Sequence, residues 1–209
     1  MRRTRAVVAL LVAVTSAGIA SLLPLRDAAA LDPPPPPPWR RGVTVDGTLG
    51  AYAPLGRLKR VSSAGPWTRI TAGYELASWL GLFVGFDTAF LSTNRASPPP
   101  GERGYVLWGF GGGARVSLPL GLKWRIPLRL EVGAHKADDG GVLASYGFPD
   151  ARSFGLSYGA MLGLEYRAPS RHFGVATELG VRRDAALQHE ARSEAPMAIV
   201  GGLLVRYTL

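Results

Sequence analysis

The sequence predicts an all-β protein, an eight-stranded antiparallel up-and-down transmembrane β-barrel. Three observations carry this. Beyond residue 40, apolar side chains recur with a period of two, and no stretch keeps a 3.6-residue period. Eight such segments follow one another, each close to the ~9–11 residues that a tilted strand needs to cross a bilayer. Their connections alternate: short at 78–79, 119–123 and 168–171, long and polar at 54–66, 92–103, 136–153 and 183–196. Unequal connections with an even strand count are expected when every strand begins or ends on one defined side of a membrane.

The first thirty residues read as an export signal rather than as structure. "MRRTR" is a basic start, "AVVALLVAVTSAGIASLLPL" is apolar, and Ala28–Ala30 suit a small-residue cleavage site. A cut after Ala20 or an uncleaved membrane anchor are the alternatives. Without residues 1–30 the chain holds 20 basic and 14 acidic side chains, so its +9 charge falls to +6. Residues 31–40 form a proline-rich lead. Its six consecutive prolines favour a stiff polyproline spacer over a strand, and a spacer is preferred here to a proline-recognition ligand. The barrel is expected over 41–209. No cysteine is present, which excludes disulfides, thiolate metal sites and cysteine nucleophiles.

Side chains alternate across a strand, so each segment divides into two faces. Strand one (43–53) sets Val43, Val45, Leu49 and Ala51 against Thr44, Asp46, Thr48 and Tyr52. Strand two (67–77) opposes Ile70, Ala72, Tyr74 and Leu76 to Arg69, Thr71, Gly73 and Glu75. In strand three (80–91), Leu82, Val84, Phe86 and Phe90 oppose Gly81, Phe83, Gly85 and Asp87. Strand four (104–118) sets Val106, Trp108, Phe110 and Val116 against Gly109, Gly111, Gly113 and Arg115. Strand five, "KWRIPLRLEVGAH" (123–135), places Trp124, Ile126, Leu128, Leu130, Val132 and Ala134 opposite Arg125, Pro127, Arg129, Glu131 and His135. Strand six (154–167) separates Leu156, Tyr158, Leu162 and Leu164 from Ser157, Gly159, Gly163 and Glu165. Strand seven (172–182) separates Phe173, Val175, Leu179 and Val181 from Gly174, Ala176, Glu178 and Arg182. Strand eight runs to the end, with Met197, Ile199, Leu203, Val205, Tyr207 and Leu209 on one side and Arg206 on the other.

A soluble barrel would turn its bulky apolar side chains inward. Here the opposite face is mostly Gly, Ala, Ser and Thr interrupted by charge, and eight strands enclose space for side chains only. The apolar face is therefore expected to meet lipid. The competing reading, solvated faces of a soluble sheet, leaves the charge balance unexplained. Six acids (Asp46, Glu75, Asp87, Glu131, Glu165, Glu178) accompany six bases (Arg69, Arg115, Arg125, Arg129, Arg182, Arg206) on the inward parity. Buried ions must be paired, so these residues are expected to form an ion-pair network that fills the lumen and prevents an open channel. Trp79, Trp124, Tyr166 and Tyr207 near short turns, with Trp67, Phe90 and Phe154 near long loops, suit two interfacial aromatic girdles. Pro127 is out of place, because it removes a ladder hydrogen bond in a fold without edges.

With these features the chain resembles the small eight-stranded outer-membrane proteins of the A, X and W type over 41–209. Turn phrases such as "GYELASWLGLFVGFD" and the ending "GLLVRYTL" carry the likeness. Gly202, Val205, Tyr207 and a final apolar residue resemble the family's C-terminal assembly signal, although Leu209 stands where Phe is more usual. The resemblance implies residence in the cell outer membrane of a Gram-negative envelope, contact with outer-membrane lipid and lipopolysaccharide, and recognition by the barrel-insertion machinery. It also implies a role as anchor, adhesin, lipid binder or, in a minority, lipid-modifying enzyme.

Candidate chemistry is sparse. "GLSYG" (155–159) has the G-x-S-x-G spacing but lies inside a strand pattern, where the strand–turn–helix of a nucleophile elbow has no place. "GFGGGA" (109–114) mimics a dinucleotide fingerprint, yet the alternation runs through it to Pro119. "HEARS" (189–193) lacks the second histidine of a zinc helix. His135 is the one candidate for acid–base or cation chemistry, at the loop rim with Asp138 or Asp139. Arg57, Lys59 and Arg60 in the first long loop suit contact with lipopolysaccharide phosphates. No cofactor, metal or nucleic-acid partner is expected. The preferred function is non-enzymatic, structural or interaction-based, through the long loops and above all 136–153. The alternatives are a subunit of an envelope-spanning secretion or surface-motility machine, and an enzyme acting on lipid A or phospholipid.

Overall fold

A computed structural model describes residues 42–93, 104–138, 140–168, 172–188 and 196–209. The expected export signal and the proline-rich lead lie outside these residues.

Eight antiparallel strands close into a barrel in sequence order: β1 (Val43–Pro54), β2 (Gly65–Ala77), β3 (Leu80–Ser92), β4 (Gly104–Pro119), β5 (Trp124–Asp138), β6 (Gly155–Arg167), β7 (Phe173–Asp184) and β8 (Met197–Thr208). Closure comes from β1 pairing with β8, in a register that sets Asp46 opposite Arg206 and Gly50 opposite Gly202. Closing the sheet removes the edges that an open sheet would have to protect. Each of the first seven strands begins within two residues of the start of its two-residue period. Turns such as the one holding Gly121, whose φ of 95° favours glycine, reverse the chain.

The polarity is reversed relative to a soluble barrel. Leu49, Ile70, Val84 and Leu179 are exposed by more than 60%, whereas Asp46, Arg129, Glu165, Arg182 and Arg206 are exposed by 2% or less. Leu128 and Leu162 pair across β5 and β6 on the outer surface. A polar exterior would place the hydrophobic residues inside. Here every strand presents its apolar parity outward, as a wall for hydrocarbon requires.

Pro127 perturbs one ladder without moving its register. Pairing of β5 with β6 pauses between Arg125↔Glu165 and Leu128↔Leu162 and resumes in phase. Proline supplies no N–H there, and Gly163 makes room for it: a Cβ on Gly163 would lie 3.2 Å from the Pro127 ring.

The long connections differ from the expected polar surface loops. Helical turns at Leu58–Val61, Gly140–Ala144, Pro149–Arg152 and Ala185–Leu187 fold back over the barrel mouth. Leu58, Leu143, Phe148, Ala151 and Leu187 are buried, and they join Tyr52, Trp67, Leu107 and Val200 in one apolar cluster. The loops thus contribute a small hydrophobic core at one end of the cylinder. Trp67 is part of it. The interfacial position expected for Trp67 is incorrect: it shares parity with Arg69, so its ring turns inward and is fully buried.

Candidate functional site: the barrel interior

Two clusters of charge occupy the space inside the strands. The first lies towards the short turns and centres on Asp46. Arg206 grips it with two bonds, Nε to Oδ1 at 2.7 Å and Nη2 to Oδ2 at 2.8 Å, and Arg129 donates to Oδ2 at 3.0 Å. The third Arg206 nitrogen reaches Glu165 at 2.6 Å. Arg167 then links Glu165 (2.9 Å) to Glu75 (2.7 Å), which also accepts from Arg115 at 3.0 Å. Glu178 faces Arg129 at 3.5 Å. Four carboxylates therefore meet four guanidinium groups, and the planar forks of arginine let each bridge two acids.

The second cluster lies towards the long loops. Arg182 grips Asp87 and faces Glu131, and Arg69 pairs with both acids. His135 Nε2 is 2.7 Å from Asp87, and its Nδ1 is 3.5 Å from Asp184. Asp184 in turn accepts from the Tyr52 hydroxyl at 2.7 Å. A cavity of about 10 Å³, roughly one water's worth, lies between Arg69, Asp87, Glu131, His135 and Ser157.

Aromatic rings separate the layers. The Arg129 guanidinium stacks on Phe83, 4.6 Å from its centroid, between the two clusters. Arg69 and Arg182 lie 5.2 and 5.8 Å from the Trp67 ring, whose far side belongs to the apolar cluster under the loops. Small residues accommodate the long side chains. A Cβ on Gly109 would lie 2.4 Å from the His135 ring, so glycine at that position is what lets the imidazole lie flat on the wall.

Of the residues nominated from sequence, Asp46, Glu75, Arg115, Arg129, Glu165, Glu178 and Arg206 meet in the first cluster, and Arg69, Asp87, Glu131 and Arg182 in the second. Arg125 differs. It is half-buried at the short-turn rim, donates to the Ser78 carbonyl at 2.6 Å, and pairs with no carboxylate among the described residues. Its neighbour Arg167 takes Glu75 and Glu165 instead. Arg167 and Asp184 are absent from the nominated set: Arg167 is the last residue of expected strand six, beside the short turn, and Asp184 falls in the expected loop 183–196.

His135 is also placed differently from expectation. β5 continues three residues past it to Asp138, so the ring points into the barrel and meets Asp87 and Asp184. Asp138 is exposed on the outer parity, and Asp139 lies outside the described residues. Ser157 is buried within β6, and residues 109–114 lie within β4. The segment 189–193 lies outside the described residues. Arg57, Lys59 and Arg60 are exposed around the Leu58–Val61 turn. No cluster of metal-ligating side chains occurs among the described residues.

No family model and no curated protein matches the chain. Among solved structures, Neisserial surface protein A is similar at a TM-score of 0.55 and 16% identity, over 81% of this chain and 97% of that one. The outer membrane protein OprG from Pseudomonas aeruginosa aligns at a TM-score of 0.47 and 11% identity, over 80% and 95% of the two chains. The outer membrane enzyme PagL aligns at 0.42 and 12%, over 79% and 99%. At these identities the likeness is one of fold. The chain has the fold of the small eight-stranded outer-membrane barrels, and its reversed polarity places it in the cell outer membrane.

Proposed function

We propose that this chain is a non-enzymatic integral outer-membrane protein with a closed lumen, acting structurally or by binding through its long-loop end. The observation that carries this reading is the filling of the cylinder by three successive layers. These are the Asp46–Arg206 cluster, the Asp87–Arg182 cluster, and the apolar core that the loops fold onto Trp67. Fourfold charge matching in the first layer supports a permanent structural role over a binding site awaiting a ligand. The inward orientation of Ser157 and His135 supports the absence of lipid chemistry, since neither reaches the outer wall where a lipid substrate would lie.

Outer-membrane lipid and lipopolysaccharide surround the wall in this reading. The ending "GLLVRYTL" addresses the barrel-insertion machinery, and residues 1–30 deliver the chain across the inner membrane as an export signal. The test is planar-bilayer recording from purified, detergent-folded chain. Silence at voltages where porins conduct supports the reading, and stable porin-sized steps overturn it. A changed lipid A or phospholipid profile in a deletion strain would favour an enzyme instead.

A further inference from the structure

The outer wall carries an exception to its own rule. Among the described residues at outward-facing strand positions, charge occurs only at Lys136, Asp138 and Arg183. All three lie within two residues of the long-loop ends of β5 and β7, the two strands that flank β6. Nothing in the strand pattern requires them. A lysine two residues after Ala134 interrupts an apolar parity that is otherwise unbroken from Trp124.

Both cations are held in place by aromatic faces. The Lys136 ammonium sits 4.7 Å from the Trp108 ring centroid and 5.2 Å from that of Phe154. Arg183 lies over Tyr158 at 6.0 Å and donates to its hydroxyl at 3.0 Å. No carboxylate of the described residues comes within ion-pair distance of either. Aromatic contact fixes a cation's position and leaves its charge available. The register sets Tyr158 opposite Arg183 and Gly155 opposite His135, so Lys136 and Arg183 are two strands apart and offset by about four residues along β6. Ordinary strand spacing puts their Cα atoms roughly 16 Å apart, a span that the separate phosphates of one glycolipid headgroup can bridge.

We propose that this outward patch is a binding site for a phosphorylated glycolipid of the surrounding leaflet. Lys136 and Arg183 take its phosphate oxygens, and its acyl chains lie along the apolar wall below Phe154. The occupant is a lipid because the patch is continuous with the hydrocarbon-facing surface. It is anionic because, among the described residues, the two cations of the patch outweigh Asp138. This site rests on the membrane-barrel reading and adds to it a ligand class and a location distinct from the basic loop at Arg57, Lys59 and Arg60.

The test uses the full chain purified in zwitterionic detergent, its folding established by heat-dependent gel migration. Native mass spectrometry is run with a phosphorylated lipid A disaccharide and separately with its dephosphorylated form. The phosphorylated lipid should be retained about tenfold better, as two charge-assisted contacts produce. Lys136→Gln combined with Arg183→Gln should remove that preference, while Lys123→Gln at the opposite rim should preserve it. Equal retention of both lipids by the unaltered chain, or an undiminished preference in the double variant, overturns the site alone. So does displacement by millimolar inorganic phosphate, which would assign the cations to a free ion. A chain soluble and monomeric without detergent would overturn the barrel reading and this site together.

Discussion

Tyr52 and Asp184, 132 residues apart in sequence, meet inside the barrel in a 2.7 Å hydrogen bond donated by the phenol. Both are almost fully buried, and the bond joins the loop end of β1 to the loop end of β7. It also marks a boundary: Tyr52 packs with the apolar cluster, and Asp184 faces His135 in the charged one.

Tyr52→Phe keeps the ring and removes the donor. Among the described residues, Asp184 then retains the more distant His135, at 3.5 Å, as its side-chain partner. Loss of a buried carboxylate's partner costs about 1–3 kcal/mol. The variant should unfold at lower urea concentration in detergent micelles, with an unchanged m-value. An unmoved midpoint would show that this bond contributes nothing to the native barrel.

The first charged cluster should behave as a unit. Arg206→Met removes three bonds at once and leaves Asp46 and Glu165 buried beside fewer cations. Breaking one side of such an arrangement costs about 3–5 kcal/mol. Removing both members, Asp46→Asn with Arg206→Met, should cost clearly less than the sum of the two single changes. A double-mutant cycle in urea measures this difference, and strict additivity would mean that the pair is not coupled.

Gly109→Ala tests whether the wall is fitted to its contents. The added Cβ would lie 2.2 Å from the Ala134 carbonyl oxygen and 2.4 Å from the His135 ring. One of these neighbours is backbone and cannot yield cheaply. A loss of about 1–3 kcal/mol is expected from such overpacking. Gly47→Ala faces outward with nothing within 4 Å and should stay within about 0.5 kcal/mol of the parent. Equal thermal stability of the two variants would contradict the tight fit.

Period and loop asymmetry made the strands legible, because a half-buried strand writes its geometry directly into alternation. The expected 172–182, for example, is Phe173–Asp184 in the structure. Ending that strand at Arg182 hid Asp184, and ending strand five at His135 put the imidazole at the rim beside Asp138 or Asp139, although its parity already pointed inward. Trp67 had the right parity in the sequence, but proximity to a long loop outweighed it. Partner choice was not legible. Asp46 meets Arg206 across the closure of the barrel, 160 residues away, and that depends on register between strands rather than on spacing within one. The apolar lining of the loops was visible only as isolated residues, Leu58, Leu143 and Leu187, with no period to reveal a common core.

That core makes the last prediction. Phe148 is buried where the Gly140–Ala144 and Pro149–Arg152 turns converge, with Leu143 and Ala151 beside it. Phe148→Ala should cost the cap about 3–5 kcal/mol through lost burial and the cavity left behind. The ladders of β1 to β8 do not depend on that ring, so opening should be local rather than global. Trypsin should cut faster after the exposed Arg152, while heat-dependent gel migration of the uncut barrel stays as in the parent. Cleavage at the parental rate would mean that Phe148 does not hold the cap down. Loss of heat-dependent migration would mean that cap and barrel unfold as one unit, and the separation of layers drawn from the packing would be wrong.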